Sequence, residues 1–78
     1  MSIKKEYRTT EQYTEIVESV LNGNFRQAAI EVVEYGFFSS DLIQKYEEAK
    51  KMEYLNMEAT DLCIITEMAT VIRYCEKQ

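Results

Sequence analysis

From Tyr13 to Gly36 the chain carries apolar residues at a helical period, interrupted once at Asn22-Gly23-Asn24. Tyr13, Ile16, Val17, Val20 and Leu21 follow the i, i+3, i+4, i+7, i+8 spacing of one helical face. Glu11, Glu15, Glu18 and Asn22 fall on the other side, as solvent requires. After the break, Phe25, Ala28, Ala29, Val32 and Val33 repeat the pattern, and the small Ala28 and Ala29 let another helix approach closely. Two amphipathic helices joined by so short a turn are antiparallel neighbours. The expectation is a helical hairpin that the rest of the chain covers.

The boundaries have local chemistry. Thr9 and Gln12 have the spacing of a capping box, with Thr10 a competing cap one residue later. Glu11 and Glu15 stand near the helix start, where the macrodipole favours an anion. Gly23 supplies a left-handed residue to end the first helix, and Gly36 does the same for the second. Asn24 is placed to cap the second helix. The chain has no other glycine and no proline, so nothing else breaks helix by covalent constraint.

Beyond Gly36 come Phe37 and Phe38, two aromatics in a turn. One is expected to plug the bundle and the other to be a candidate anchor for a partner, because exposed aromatics carry interface energy. Ser39 or Ser40 is the expected cap of a third helix, with Asp41 in its first turn. Leu42, Ile43, Tyr46 and Ala49, with Met52 nearby, form its stripe; Glu47 and Lys51 pair favourably on the polar side. The phase slips at Tyr54-Leu55-Asn56-Met57, which predicts a turn over 55–58 with Asn56 left-handed. The alternative is one helix over 41–76, about 54 Å long, which would imply an oligomer. The last segment carries Leu62, Ile64, Ile65, Met68, Val71, Ile72 and Cys75, with Cys63 and Ala69 widening the face. It reads as the central core helix, capped by Thr60 or Asp61, with Arg73 and Lys77 near its negative end and Tyr74 to one side. The fold class expected is therefore all-α: a compact bundle of three to four short helices with an N-terminal hairpin. The domain plan is a flexible basic tail at 1–8 and one helical domain at 9–78.

Charge and composition narrow the function. A chain of 78 residues buries only about 60–65% of its unfolded surface, so a partner or self-association helps it. Lys4, Lys5 and Arg8 outweigh Glu6 in the first eight residues, whereas the rest holds six basic and thirteen acidic groups. Such a body repels nucleic acid and attracts basic surfaces. There is no histidine, which removes the usual general base, zinc ligand and nucleophile partner. No phosphate-binding glycine loop or calcium loop is present. Carboxylate-only catalysis or magnesium binding is the chemistry left. The Glu15/Glu18 and Glu31/Glu34 pairs, at i, i+3, read instead as solvated surface. The chain is thus expected to have no catalytic residues, no metal and no cofactor.

Cys63 and Cys75 lie twelve residues apart. On one helix that is about 18 Å, beyond the ~7 Å a disulfide allows. They read as reduced core thiols of a cytoplasmic protein. Met1–Arg8 has no apolar run to serve as a leader, no lipidation motif is present, and no segment approaches the ~18 apolar residues of a membrane span.

Two resemblances bear on function. Gly23-Asn24-Phe25-Arg26-Gln27-Ala28 resembles the mid-repeat turn of tetratricopeptide repeats, over about a dozen residues. The Trp and Leu positions of that repeat fall on Gln12 and Glu15, and no second copy follows. In size, acidity, helicity and lack of catalytic chemistry the chain resembles small phage-encoded host-takeover and anti-defence proteins, including some anti-CRISPR proteins and nuclease inhibitors. That likeness implies an inhibitor or adaptor in the host cytoplasm that blocks a basic or nucleic-acid-binding surface of a partner protein. The candidate partner-binding residues are Glu11, Glu15, Glu18, Glu31, Glu34, Glu47 and Glu48, with Phe37 and Phe38. The alternative is a self-associating structural or regulatory protein, a homodimer with a small-ligand pocket between subunits.

Overall fold

The computed structural model describes residues 9–76. The basic tail expected at 1–8, and Lys77, lie outside the described residues. Four helices make up the fold: α1 (Thr10–Leu21), α2 (Phe25–Glu34), α3 (Ser39–Lys51) and α4 (Ala59–Glu76). Among the described residues there is no strand, so the all-α expectation holds. Each helix packs chiefly on two others, in the cyclic order α1, α2, α4, α3. The N-terminal hairpin is present, and α4 closes the bundle over α2 and α3.

The core is built from the predicted stripes. α1 buries Tyr13, Ile16, Val17 and Val20; α2 buries Ala28, Ala29 and Val32; α4 buries Leu62, Ile65 and Ala69. Between the helices, Phe37 and Met57 are also buried. Phe37 is fully enclosed and is the largest such side chain, so the first of the two aromatics is the plug. Leu21, Ile43, Met52, Ile64 and Val71 were expected on apolar stripes but are exposed. Each sits at the margin of its stripe, where a small bundle has no neighbour to offer.

Three of the helices end in one motif. Past α1, Gly23 N–H donates to Val20 carbonyl and Asn24 N–H to Ser19 carbonyl; past α2, Gly36 N–H donates to Val33 and Phe37 N–H to Val32. These paired bonds form a Schellman closure, with Gly23 at φ +83° and Gly36 at φ +78°. Beyond α3 the same pair recurs, Glu53 N–H to Lys50 carbonyl and Tyr54 N–H to Ala49 carbonyl. Here the left-handed residue is Glu53, at φ +62°. The turn therefore starts earlier than the predicted 55–58, and Asn56 is not the left-handed residue. The continuous 41–76 helix is excluded.

Asn56 has another task. Its amide Nδ2 donates to the Tyr46 carbonyl at 2.9 Å, and its Oδ1 accepts from the Met57 N–H at 3.0 Å. The same Oδ1 accepts from the Tyr13 hydroxyl. One amide thus ties the α3–α4 linker to α3 and to the core face of α1. Burial pushes the Tyr13 hydroxyl above the usual tyrosine range, and Tyr46 adds to it.

The N-terminal caps divide. At α1 the predicted box is complete: Thr9 Oγ1 accepts from Gln12 N–H at 3.1 Å, and Gln12 Oε1 accepts from Thr9 N–H at 3.0 Å. Asn24 precedes α2 but makes no side-chain cap bond. Ser39 and Ser40 do not cap α3; they lie inside it, and Phe38 holds the cap position. Phenylalanine has no acceptor to offer, so only half of a box forms, the Phe38 N–H donating to Asp41 Oδ2 at 3.0 Å. α4 begins at Ala59, which places Thr60 and Asp61 in its first turn rather than at its cap.

Candidate protein-binding face

The excess of acid over base is greatest on the hairpin. Residues 9–36 carry Glu11, Glu15, Glu18, Glu31 and Glu34 against the single cation Arg26. Glu11, Glu15 and Glu18 stand at i, i+4 and i+7 along α1, and all three are exposed. Antiparallel packing of α1 and α2 then brings the α2 carboxylates alongside. Ser19 on α1 donates to Glu31 Oε1 at 3.0 Å, and Gln27 donates to Glu31 Oε2 at 3.2 Å. These bonds hold Glu31 upright at the helix junction.

Tyr35 is the centre of this face. It follows α2 immediately, and its hydroxyl donates to Glu15 Oε1 across the hairpin. Its acidity is pushed down, the hydroxyl pKa rising to about 12. The hydrogen bond to Glu15 is the main cause, followed by burial and then by the negative charge of Glu15, Glu31 and Glu34. Three carboxylates therefore act on one phenol. Nothing local in the sequence marks Tyr35 for this role. Its link to Glu15 spans twenty residues, and only its position just before Gly36, at the hairpin's open end, hints at that reach.

Glu47 and Glu48 belong to a different surface. They lie on α3, where Lys45, Lys50 and Lys51 offset them. Glu48 pairs with Lys45 at 3.7 Å, and the Lys45 ammonium also reaches Thr10 Oγ1 at 3.4 Å. Lys50 sits over the Tyr46 ring, 5.6 Å from its centroid. α3 is charge-balanced and does not extend the acidic face.

Of the two candidate aromatics, Phe37 is withdrawn from the partner-binding set because it is fully buried. Phe38 is 59% exposed. The Arg73 guanidinium lies 4.5 Å from its ring centroid and donates to the Phe37 carbonyl at 2.5 Å. Phe38 thus presents an aromatic edge beside a positive charge, opposite in sign to the hairpin.

Among the described residues no group of three or more Cys, Asp or Glu side chains could hold a metal ion. No helix among them is long and apolar enough to cross a membrane. No family model, curated protein or solved structure matches this chain.

Proposed function

We propose that this protein is a non-enzymatic binding module, a small acidic inhibitor or adaptor of the phage anti-defence kind, acting in the cytoplasm. Its hairpin face engages a basic or nucleic-acid-binding surface of another protein. The observation that carries this reading is the row of exposed carboxylates Glu11, Glu15 and Glu18 along α1, joined across the hairpin to α2 by the Tyr35–Glu15 and Ser19–Glu31 hydrogen bonds. A contiguous negative face of this kind can occupy a surface shaped for phosphates and raises encounter rates with a basic partner. Tyr35 holds one carboxylate in place and adds an aromatic body of the kind enriched at protein interfaces. Glu11 and Glu18 extend the face along α1.

The test is affinity capture from a bacterial lysate with the wild-type chain and with a Glu15→Lys/Glu18→Lys/Glu34→Lys variant. All three positions are exposed, and circular dichroism checks that the variant keeps its helices. A basic protein held by the wild type should be lost by the variant, with an association rate at least ~10-fold slower and steeply salt-dependent. The same proteins captured equally by both chains would refute the proposal.

A further inference from the structure

The geometry points to a second interaction surface, on α4, occupied by a second copy of this chain packed antiparallel along Ile64, Met68, Val71 and Cys75. α4 meets its own bundle through Leu62, Ile65 and Ala69. At about 100° per residue, Ile64, Met68, Val71 and Cys75 fall in an arc of about 60° beside that contact, not within it. Ile64 is 43% exposed and Val71 59%; Cys75 is exposed and Met68 half-buried. Their 4-3-4 spacing is that of a seam between two packed helices. α4 therefore carries two apolar seams, and the bundle uses one.

The outer seam opens into a groove of about 640 Å³ between α4 and the start of α2. Met68, Val71, Ile72 and Cys75 line it, and Arg26, Glu67 and Glu76 stand around it. None of these three charged groups makes an ion pair among the described residues. One cation and two anions around an apolar groove form a self-complementary set. A two-fold rotation sets Arg26 of each copy against the glutamates of the other, so both sides are satisfied by one operation.

The antiparallel direction follows from size and charge. It sets Ile64 opposite Cys75 and Met68 opposite Val71, large against small, at both ends of the seam. A parallel pair would stack Glu67 on Glu67 and align the two helix dipoles unfavourably. The seam is about 16 Å long, which places the dimer among small, concentration-dependent interfaces. This surface is separate from the acidic hairpin face, and either can fail without the other.

Native thiol labelling, run with light scattering across concentration, tests the proposal on the full chain. Cys75 lies in the seam; Cys63 lies about 120° away around α4, and both are exposed in a single copy. As concentration rises, the mass should climb from 9.2 kDa toward twice that value. Cys75 labelling should slow several-fold while Cys63 labelling stays constant. Val71→Glu should abolish both changes with helicity intact, because Val71 contributes little to its own core. An Ile64→Cys/Cys63→Ser variant should form an interchain bond to Cys75 on mild oxidation. A monomer up to about 1 mM would overturn the proposal. So would association that leaves Cys75 reactive, association that survives Val71→Glu, or a Cys75–Cys75 bond in the wild type. Cys75 protection independent of concentration would also overturn it, since the groove would then be filled by the chain itself.

Discussion

Glu53 occupies the position that glycine fills at the ends of α1 and α2, and replacing it with glycine should stabilise the protein. At φ +62° its Cβ crowds its own backbone. A left-handed L-residue costs about 1–2 kcal/mol relative to the right-handed form. Glycine removes that cost but is more flexible when unfolded, which returns about 0.5–1 kcal/mol. The net gain for Glu53→Gly is about 0.5–1 kcal/mol. In a domain of this size ~1 kcal/mol moves Tm by roughly 4–8 °C, so a rise of a few degrees is expected. Gly23→Ala supplies the opposite arm. A Cβ built on Gly23 meets nothing within 4 Å, so the whole effect is backbone strain at φ +83°. That change should cost about 1 kcal/mol. Thermal and urea unfolding followed by circular dichroism read both, with the urea slope unchanged in each. A drop in Tm for Glu53→Gly alongside a drop for Gly23→Ala would refute the reasoning. It would mean that the Glu53 side chain, not its backbone, holds the α3–α4 linker.

Asn56→Ala should cost about 1–3 kcal/mol, because it strips the acceptor from the buried Tyr13 hydroxyl and the donor from the Tyr46 carbonyl; an unchanged urea midpoint would show that the linker is not held there. The two perturbed tyrosines predict an alkaline transition. Both have pKa values raised above 10.0 in the fold, so the neutral hydroxyls are favoured there. Their contribution is complete below pH 10.0 and falls as pH rises toward about 12. Stability measured across that window should decline less steeply in Tyr13→Phe and Tyr35→Phe than in the wild type, and tyrosinate absorbance should show two late-titrating groups.

The hairpin was legible because everything that defines it is local. The α1 stripe, the Thr9–Gln12 box and the two glycine stops all act within a few residues. The α3–α4 corner is not legible in the sequence, because its left-handed residue is a glutamate, which carries no signal for that conformation. Asn56 does mark this corner, but as a side-chain tie rather than a left-handed residue. Its partners Tyr13 and Tyr46 lie 43 and ten residues away, beyond the reach of spacing rules. α4 misled differently: apolar residues cover so much of its circumference that phase alone does not say which arc faces inward. Cys63 and Cys75, expected as core thiols, are both exposed. On the acidic face, Glu11, Glu15 and Glu18 could be read from α1 alone. Their meeting with Glu31 and Glu34 needed the packing of α2, and Tyr35 became visible only there.

The cyclic packing order has a consequence for synthesis. α2 rests on α1 and α4, and α4 is translated after the other three helices. While the nascent chain holds only α1–α3, the face of α2 that packs on α4 stays uncovered. Arg73, which clasps the Phe37 carbonyl, leaves the ribosome late as well. The bundle cannot close piece by piece as it emerges. Its apolar interior stays open to chaperones, or to a neighbouring nascent copy, until nearly all of α4 is out.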